Sequence, residues 1–176
     1  RVSPRAALRR LFDRLLLIGI ATSALNATAA GGTESLIPHA AEYKVKISML
    51  TGELHTHLSA SDGYYAAIHR IEPTGLAGVI ADGSIEEMAR FRVSHDGVLP
   101  QSYRSNDTLT SDKTKAEVEF DWDARTLEGT VDNEAYASAL DGLAHDRVSI
   151  QYQLMHDLLS GNSADTYVLY DIDEFK

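Results

Sequence analysis

Two histidines spaced two apart, His55 and His57, and a run of carboxylates at alternate positions, Glu117, Glu119, Asp121 and Asp123, are the residues whose types and spacing suit chemistry. On a strand, H-x-H projects both imidazoles from one face, as a transition-metal site requires; Glu53 or His69 would be the local third ligand. Two ligands make a weak motif, and the competing reading is a pair of ordinary histidines on a polar face. The carboxylates surround Trp122, the only tryptophan. As a strand they form a wet face, because burying such like charges without cations costs roughly several kcal/mol each. Asp121 and Asp123 are also a poor hydrolytic pair, since Trp122 between them points the other way. There is no cysteine, no G-x-S-x-G elbow and no H-E-x-x-H. No glycine loop between a strand and a helix offers a phosphate cradle. The reading assigns no catalytic residue and no cofactor, with His55 and His57 the only metal candidates.

The elements that must position these residues are strands. In "AEYKVKISM" Ala41, Tyr43, Val45, Ile47 and Met49 fall on one face, and Glu42, Lys44, Lys46 and Ser48 on the other. Period two of this kind marks a half-buried strand. A turn at Gly52 would lead into a second strand with Leu54, Thr56 and Leu58 inward, and Asp62-Gly63 into a third reaching Ile71. "EPTGLAGVIADGS" has loop chemistry. Ala89, Phe91 and Val93 alternate with Arg90 and Arg92, and His95-Asp96-Gly97 marks a hairpin. "RSNDTLTSDKTK" reads as a polar loop. Val118, Phe120 and Trp122 face inward, Asp123 is placed to cap the following turn, and "LEGTV" returns. "NEAYASALDG" suits a short helix. Asp146 caps a clearer one through "RVSIQYQLMHDLLSG", with Val148, Tyr152, Met155 and Leu159 as its apolar stripe and Gly161 as its stop. Alternation in "TYVLYDIDEFK" continues to the last residue, which predicts at least one further strand after Phe175.

The first thirty residues differ in kind. Arg1, Arg5, Arg9, Arg10 and Arg14 precede the apolar run "LLLIGIATSAL", and "NATAAGG" follows. This is the pattern of a cleavable signal peptide over residues 1–30, with a cut after Ala29 or Ala30. Eleven apolar residues are too few for a permanent span, which needs about twenty. The whole chain has 16 basic and 26 acidic residues, net −10. Without residues 1–30, eleven basic and twenty-five acidic remain, net −14. Such a charge is repelled by nucleic acid and by anionic lipid. Residues 31–176 suit a single β-rich domain. Export without cysteine means no disulfides and no lipid-anchoring cysteine. The expected location is the periplasm.

The segments "IPHAAEYKVKI", "GLAGVIADGSIEEMARFRVSHDGVLPQSY", "VEFDWDARTLEG" and "DRVSIQYQLMHDLLSG" come in an order that resembles the bacterial envelope family known as domain of unknown function 3108. Its pattern falls here on Tyr43, Phe91, Asp96, Gly97, Pro100, Tyr103, Phe120, Asp121, Trp122, Asp146 and Ser149, across roughly residues 37 to 176. Two features depart from it: Arg147 stands where proline is usual, and the closing strands are missing. The resemblance implies an exported, barrel-like β fold and no catalytic residues.

The expected fold is therefore mainly β: a curved antiparallel or barrel-like sheet, one helix near residues 146–160, and C-terminal strands still to come. The expected function is a non-catalytic periplasmic protein that binds an apolar envelope ligand or a partner protein. Tyr43, Phe91, Tyr103, Phe120, Trp122 and Tyr152 would line the concave side, either as a ligand cavity or as plain core. A periplasmic hydrolase, or a metal-binding protein using His55 and His57 or the acidic residues, is the alternative.

Overall fold

Eight strands follow one another as an antiparallel meander: β1 (His39–Ile47), β2 (Leu50–Ser61), β3 (Tyr64–Thr74), β4 (Ile85–Ser94), β5 (Gly97–Asp107), β6 (Lys115–Asp121), β7 (Thr126–Val131) and β8 (Glu134–Ala139). A short helix, α1 (Leu76–Ile80), joins β3 to β4. The chain then leaves the sheet through β9 (Ala144–Asp146), helix α2 (Ser149–Ser160), β10 (Val168–Asp171) and β11 (Glu174–Phe175). β9 and β10 are parallel, with α2 as their crossover, and β11 pairs antiparallel with β10. This computed structural model describes residues 36–176 apart from 48–49, 81, 111–112 and 163. The expected signal peptide, residues 1–30, lies outside the described residues, as does Met49.

Alternation predicts the facing of the long strands well. β6 alternates buried Ala116, Val118 and Phe120 with exposed Glu117, Glu119 and Asp121. The carboxylate run is thus the wet side of a strand. β4 likewise buries Ile85, Glu87, Ala89 and Phe91, and exposes Met88, Arg90 and Arg92.

Several local expectations are corrected. Gly52 is no turn; it pairs with Val45 inside β2, and the chain reverses between Ile47 and Leu50. Asp62-Gly63 is a turn as expected, with φ +53° and +78°, the values a two-residue type I′ hairpin needs. Asp132 and Asn133 do the same at +52° and +69°. That second hairpin carries "NEAYASALDG" back along β7 as β8 instead of letting it coil into a helix. β5 runs on to Asp107 through the first part of the segment read as loop. At the β6–β7 turn the cap is Asp121, whose Oδ1 accepts the N–H groups of Asp123 and Ala124 at 3.0 and 2.8 Å; Asp123 does not serve. The last segment is no single strand, because Ile172, at φ +66°, helps turn β10 into β11.

The helix is present, but its buried face is not the predicted one. Val148 and Tyr152 are buried, whereas Met155 and Leu159 are 37 % and 51 % exposed. The side toward the sheet instead carries Ser149, Ile150, Tyr152, Gln153, His156 and Asp157. Hydrogen bonds decide this: Gln153 Oε1 accepts the Val98 N–H at 2.7 Å, and Gln153 Nε2 donates to Asp157 at 2.9 Å.

The core lies between the inner face of the meander and the layer made by α2 and β9–β11. Tyr152 of α2 has ring contacts with His39 of β1, His69 of β3 and Phe91 of β4. Tyr170 of β10 meets Tyr103 of β5, Phe120 of β6 and Tyr136 of β8. One face of the sheet therefore wraps both ends of the layer. Among the described residues the sheet does not close, since β1 pairs only with β2 and β8 only with β7. Side chains that would fill a closed eight-stranded barrel are replaced by this layer.

Candidate functional site

A buried polar row crosses the inner face. Antiparallel pairing sets Thr56 of β2 opposite His69 of β3, His69 opposite Glu87 of β4, and Glu87 opposite Ser105 of β5. All four are inward by the two-residue period of their strands, and all four are buried. Four strands thus present hydroxyl, imidazole, carboxylate and hydroxyl at one level, in an otherwise apolar face.

The layer above supplies their partners. Glu87 Oε1 accepts the Tyr103 hydroxyl at 2.7 Å and lies 3.3 Å from Arg147 Nη1. Arg147 also pairs with Asp171 of β10, which in turn pairs with Lys176. Burial works to lower the Arg147 pKa, but the charges of Glu87 and Asp171 outweigh it and hold the guanidinium more firmly protonated. Burial, then the Glu87 charge, pushes the Tyr103 phenol well above its usual range. Asp171 is opposed by burial, yet Lys176 and Arg147 keep it below the usual carboxylate value.

His69 is held in a neutral form. Gln151 Nε2 lies 3.4 Å from Nδ1, and Nε2 lies 3.4 Å from the Tyr152 hydroxyl. With Gln151 donating, the ring proton sits on Nε2. Burial, aided by His39, lowers the imidazole to about 4. Beside this row, Asp146 ends β9 and starts the helix. Its Oδ1 accepts the N–H groups of Val148 and Ser149 at 2.9 and 2.8 Å, and its Oδ2 accepts the Ser149 hydroxyl at 2.7 Å. Burial nonetheless raises Asp146 to about 6 against those bonds.

Nucleophilic catalysis needs a hydroxyl on a base that is itself oriented by an acid. Here the order across the sheet is His69, Glu87, Ser105, with the acid in the middle. Among the described residues Ser105 Oγ has no hydrogen-bond partner, and Glu87 is engaged by Tyr103 and Arg147. Through Tyr103 and Arg147, Glu87 fastens the α2 layer to the sheet.

The sequence-predicted residues divide into three groups. His55 and His57 lie on the outer face, with His55 3.8 Å from both Glu42 and Glu53. They border an open cleft of about 500 Å³ with Ala40, Glu42, Ile68 and Arg70. Among the described residues no three His, Cys, Asp or Glu side chains are grouped to hold a metal ion. Phe91, Tyr103, Phe120, Trp122 and Tyr152 do come together on the inner face, but packed on one another. Phe91 stacks on Tyr152 at 5.2 Å and Phe120 on Trp122 at 5.7 Å. Tyr43 stands apart from them, 37 % exposed. Trp122 donates to the Pro100 carbonyl at 2.6 Å and borders an open cleft of about 390 Å³ with Leu99, Arg125, Leu140 and Leu143.

Glu87, Ser105, Arg147 and Asp171 are not among the residues that the sequence singles out as functional. For the first two a signal exists: Glu87 shares the parity of Ala89 and Phe91, and Ser105 that of Tyr103. Arg147 and Asp171 carry no such signal, because neither lies on a long alternating strand. No protein-family model, no curated protein and no solved structure matches the chain.

Proposed function

We propose that the chain is an exported, non-catalytic periplasmic protein that acts by binding a partner protein of the cell envelope at its surface. The observation that carries this reading is the occupied concave face. Tyr152 and Tyr170 of the inner layer lie against Phe91, Tyr103 and Phe120, the side chains a ligand cavity would need free. The central acid of the His69–Glu87–Ser105 row speaks against hydrolysis. The arginine-led apolar N-terminus and the resemblance to the domain of unknown function 3108 family both support export.

A second reading, an apolar envelope ligand, is favoured by the cleft under Trp122 with its leucine lining. One experiment separates these readings. The protein is expressed with its N-terminal residues, released by osmotic shock and weighed by native mass spectrometry. The expected result is a bare chain beginning at Ala30 or Gly31. A bound lipid lost in Leu140→Asp would favour the second reading, and an uncut chain retained in the cytoplasm would refute export.

A further inference from the structure

Among the described residues the two outer edges of the sheet, β1 and β8, have no strand partner, and they complement each other. At the β7–β8 end, Val131 and Glu134 flank a two-residue turn and form the hydrogen-bonded pair that closes it. Counting on, Glu134, Tyr136 and Ser138 turn their backbone groups to β7. Ala135, Ala137 and Ala139 turn theirs to the open edge, with exposed methyl side chains on the outer face. Edges are normally blunted by lysine, proline or a bulge, and β8 has none of these. The outer face behind those alanines is acidic: Ala137 is opposite Glu128, and Glu128 is opposite Glu119. Arg104 pairs with Glu117 one row away; among the described residues no cation is paired with Glu119 or Glu128.

At the other end, Ile47 and Leu50 flank a two-residue connection, so the same count sends the backbone groups of Ala40, Glu42, Lys44 and Lys46 to the β1 edge. Lys44 and Lys46 are exposed on the outer face, while Tyr43 and Val45 lie on the inner face. β1 thus offers the alternation β8 lacks a partner for: lysine outward, apolar inward, free backbone groups at the same parity as the lysines.

We propose that the protein self-associates edge to edge, with β1 of one copy adding as the next strand beside β8 of another. Antiparallel pairing with Lys44 opposite Ala137 and Lys46 opposite Ala135 keeps both outer faces on the same side. Strands lie about 4.8 Å apart, so Lys44 stands two strands from Glu128. The Ala137 methyl leaves the path open, and the two extended side chains bridge it. Val45 and Tyr43 then meet Tyr136 and Ser138 on the inner side. The alternatives within the same chain are worse: β8 on β8 would bring two uncompensated acidic faces together, and β1 on β1 would oppose lysines. The contact is heterologous, so association continues beyond the dimer unless the rotation closes a ring. This inference stands independently of export and of the absence of catalysis.

The test is light scattering of the purified protein across a dilution series into the high-micromolar range. The wild type is expected to increase in mass with concentration, and less so at high salt. Lys44→Glu with Lys46→Glu disables β1 and weakens association about tenfold or more. Ala137→Pro removes a donor aimed at the open edge, and Ala137→Glu places a charge there, so either disables β8. Should Ala137→Pro misfold, Ala137→Glu carries the test. Each variant alone is expected to be monomeric, and an equimolar mixture to form a one-to-one heterodimer that grows no further, since each supplies the edge the other lacks. A wild type that stays monomeric throughout, or an association that survives Lys44→Glu with Lys46→Glu, overturns the proposal.

Discussion

Tyr103 donates its hydroxyl to Glu87 across neighbouring strands at 2.7 Å, and both side chains are buried. Arg147, arriving from the β9–α2 connection, lies 3.3 Å from the same carboxylate oxygen. One oxygen therefore joins β4, β5 and the inner layer. A buried carboxylate is tolerated only when its lone pairs are met, and this one is met from both the sheet and the layer.

Tyr103→Phe keeps the ring packed against Tyr170 and deletes only the donor to Glu87. The expected cost is about 1–2 kcal/mol, because Glu87 retains Arg147. Urea unfolding should show a lower midpoint with an unchanged slope. An unaltered midpoint would mean that water replaces the hydroxyl at no cost.

Arg147→Met keeps much of the stem and removes the charge between Glu87 and Asp171. Breaking a largely buried pair on one side is expected to cost about 3 kcal/mol. Lys176 remains to hold Asp171, so Glu87 carries most of the loss. Glu87→Gln in the Arg147→Met background should recover part of it, since the carboxamide leaves no buried charge. Failure of that second change to recover any stability would place the loss in packing rather than charge.

Acid should weaken the fold through its buried histidines. Burial lowers His69 and His145 to about 4 each, against about 6.5 in an unfolded chain. As pH falls below 6.5 the unfolded chain takes up these protons first, so stability is present above that pH and is lost toward pH 4. Asp146 works in the opposite sense: its folded value of about 6 lies above the unfolded one, so it gains stability as pH falls through that value. Asp171, held below the usual carboxylate value, also loses stability in acid, so the histidines and Asp171 together outweigh Asp146 and the net result is a loss. His69→Phe should remove up to about 3 kcal/mol of the acid loss. The measurement is the shift in urea midpoint between neutral pH and pH 4.5; an equal shift in wild type and variant would rule out His69 as a source.

Gly129 lies on β7 opposite Val118. A methyl group there would stand 2.7 Å from the Val118 Cα and closer still to the Glu117 carbonyl oxygen. Backbone atoms cannot turn aside as a flexible side chain can. Gly129→Ala is expected to cost about 3 kcal/mol by separating β6 from β7. Thermal unfolding would show it, and a melting temperature equal to wild type would show that the two strands can spread without penalty.

Much of the sheet was legible residue by residue. Val118 and Phe120 opposite Glu117 and Glu119, or Ala89 and Phe91 opposite Arg90 and Arg92, state their facing by simple alternation, because successive strand side chains point to opposite sides. Turns were legible where a residue type tolerates positive φ, as at Asp62-Gly63. They were misread where glycine served another purpose: Gly52 approaches the Glu72 carbonyl closely and lies within a strand. The candidate site was half legible, since Glu87 and Ser105 share the parity of their apolar neighbours, while Arg147 and Asp171 reach it from short elements that have no pattern.

The amino-acid sequence by itself determined that the fold is built mainly of strands, which side of β4 and β6 is wet, and that the carboxylates around Trp122 face solvent. Those are local properties, set by a two-residue period and by the cost of burying charge. Tertiary structure alone decided what covers the inner face and which face α2 presents to it. That choice depends on partners distant in the chain. Gln153 turns inward because the Val98 N–H awaits it, and Met155 and Leu159 turn outward as a consequence. It also decided that the aromatic face is core, because a strand pattern specifies an apolar side without specifying what that side will meet.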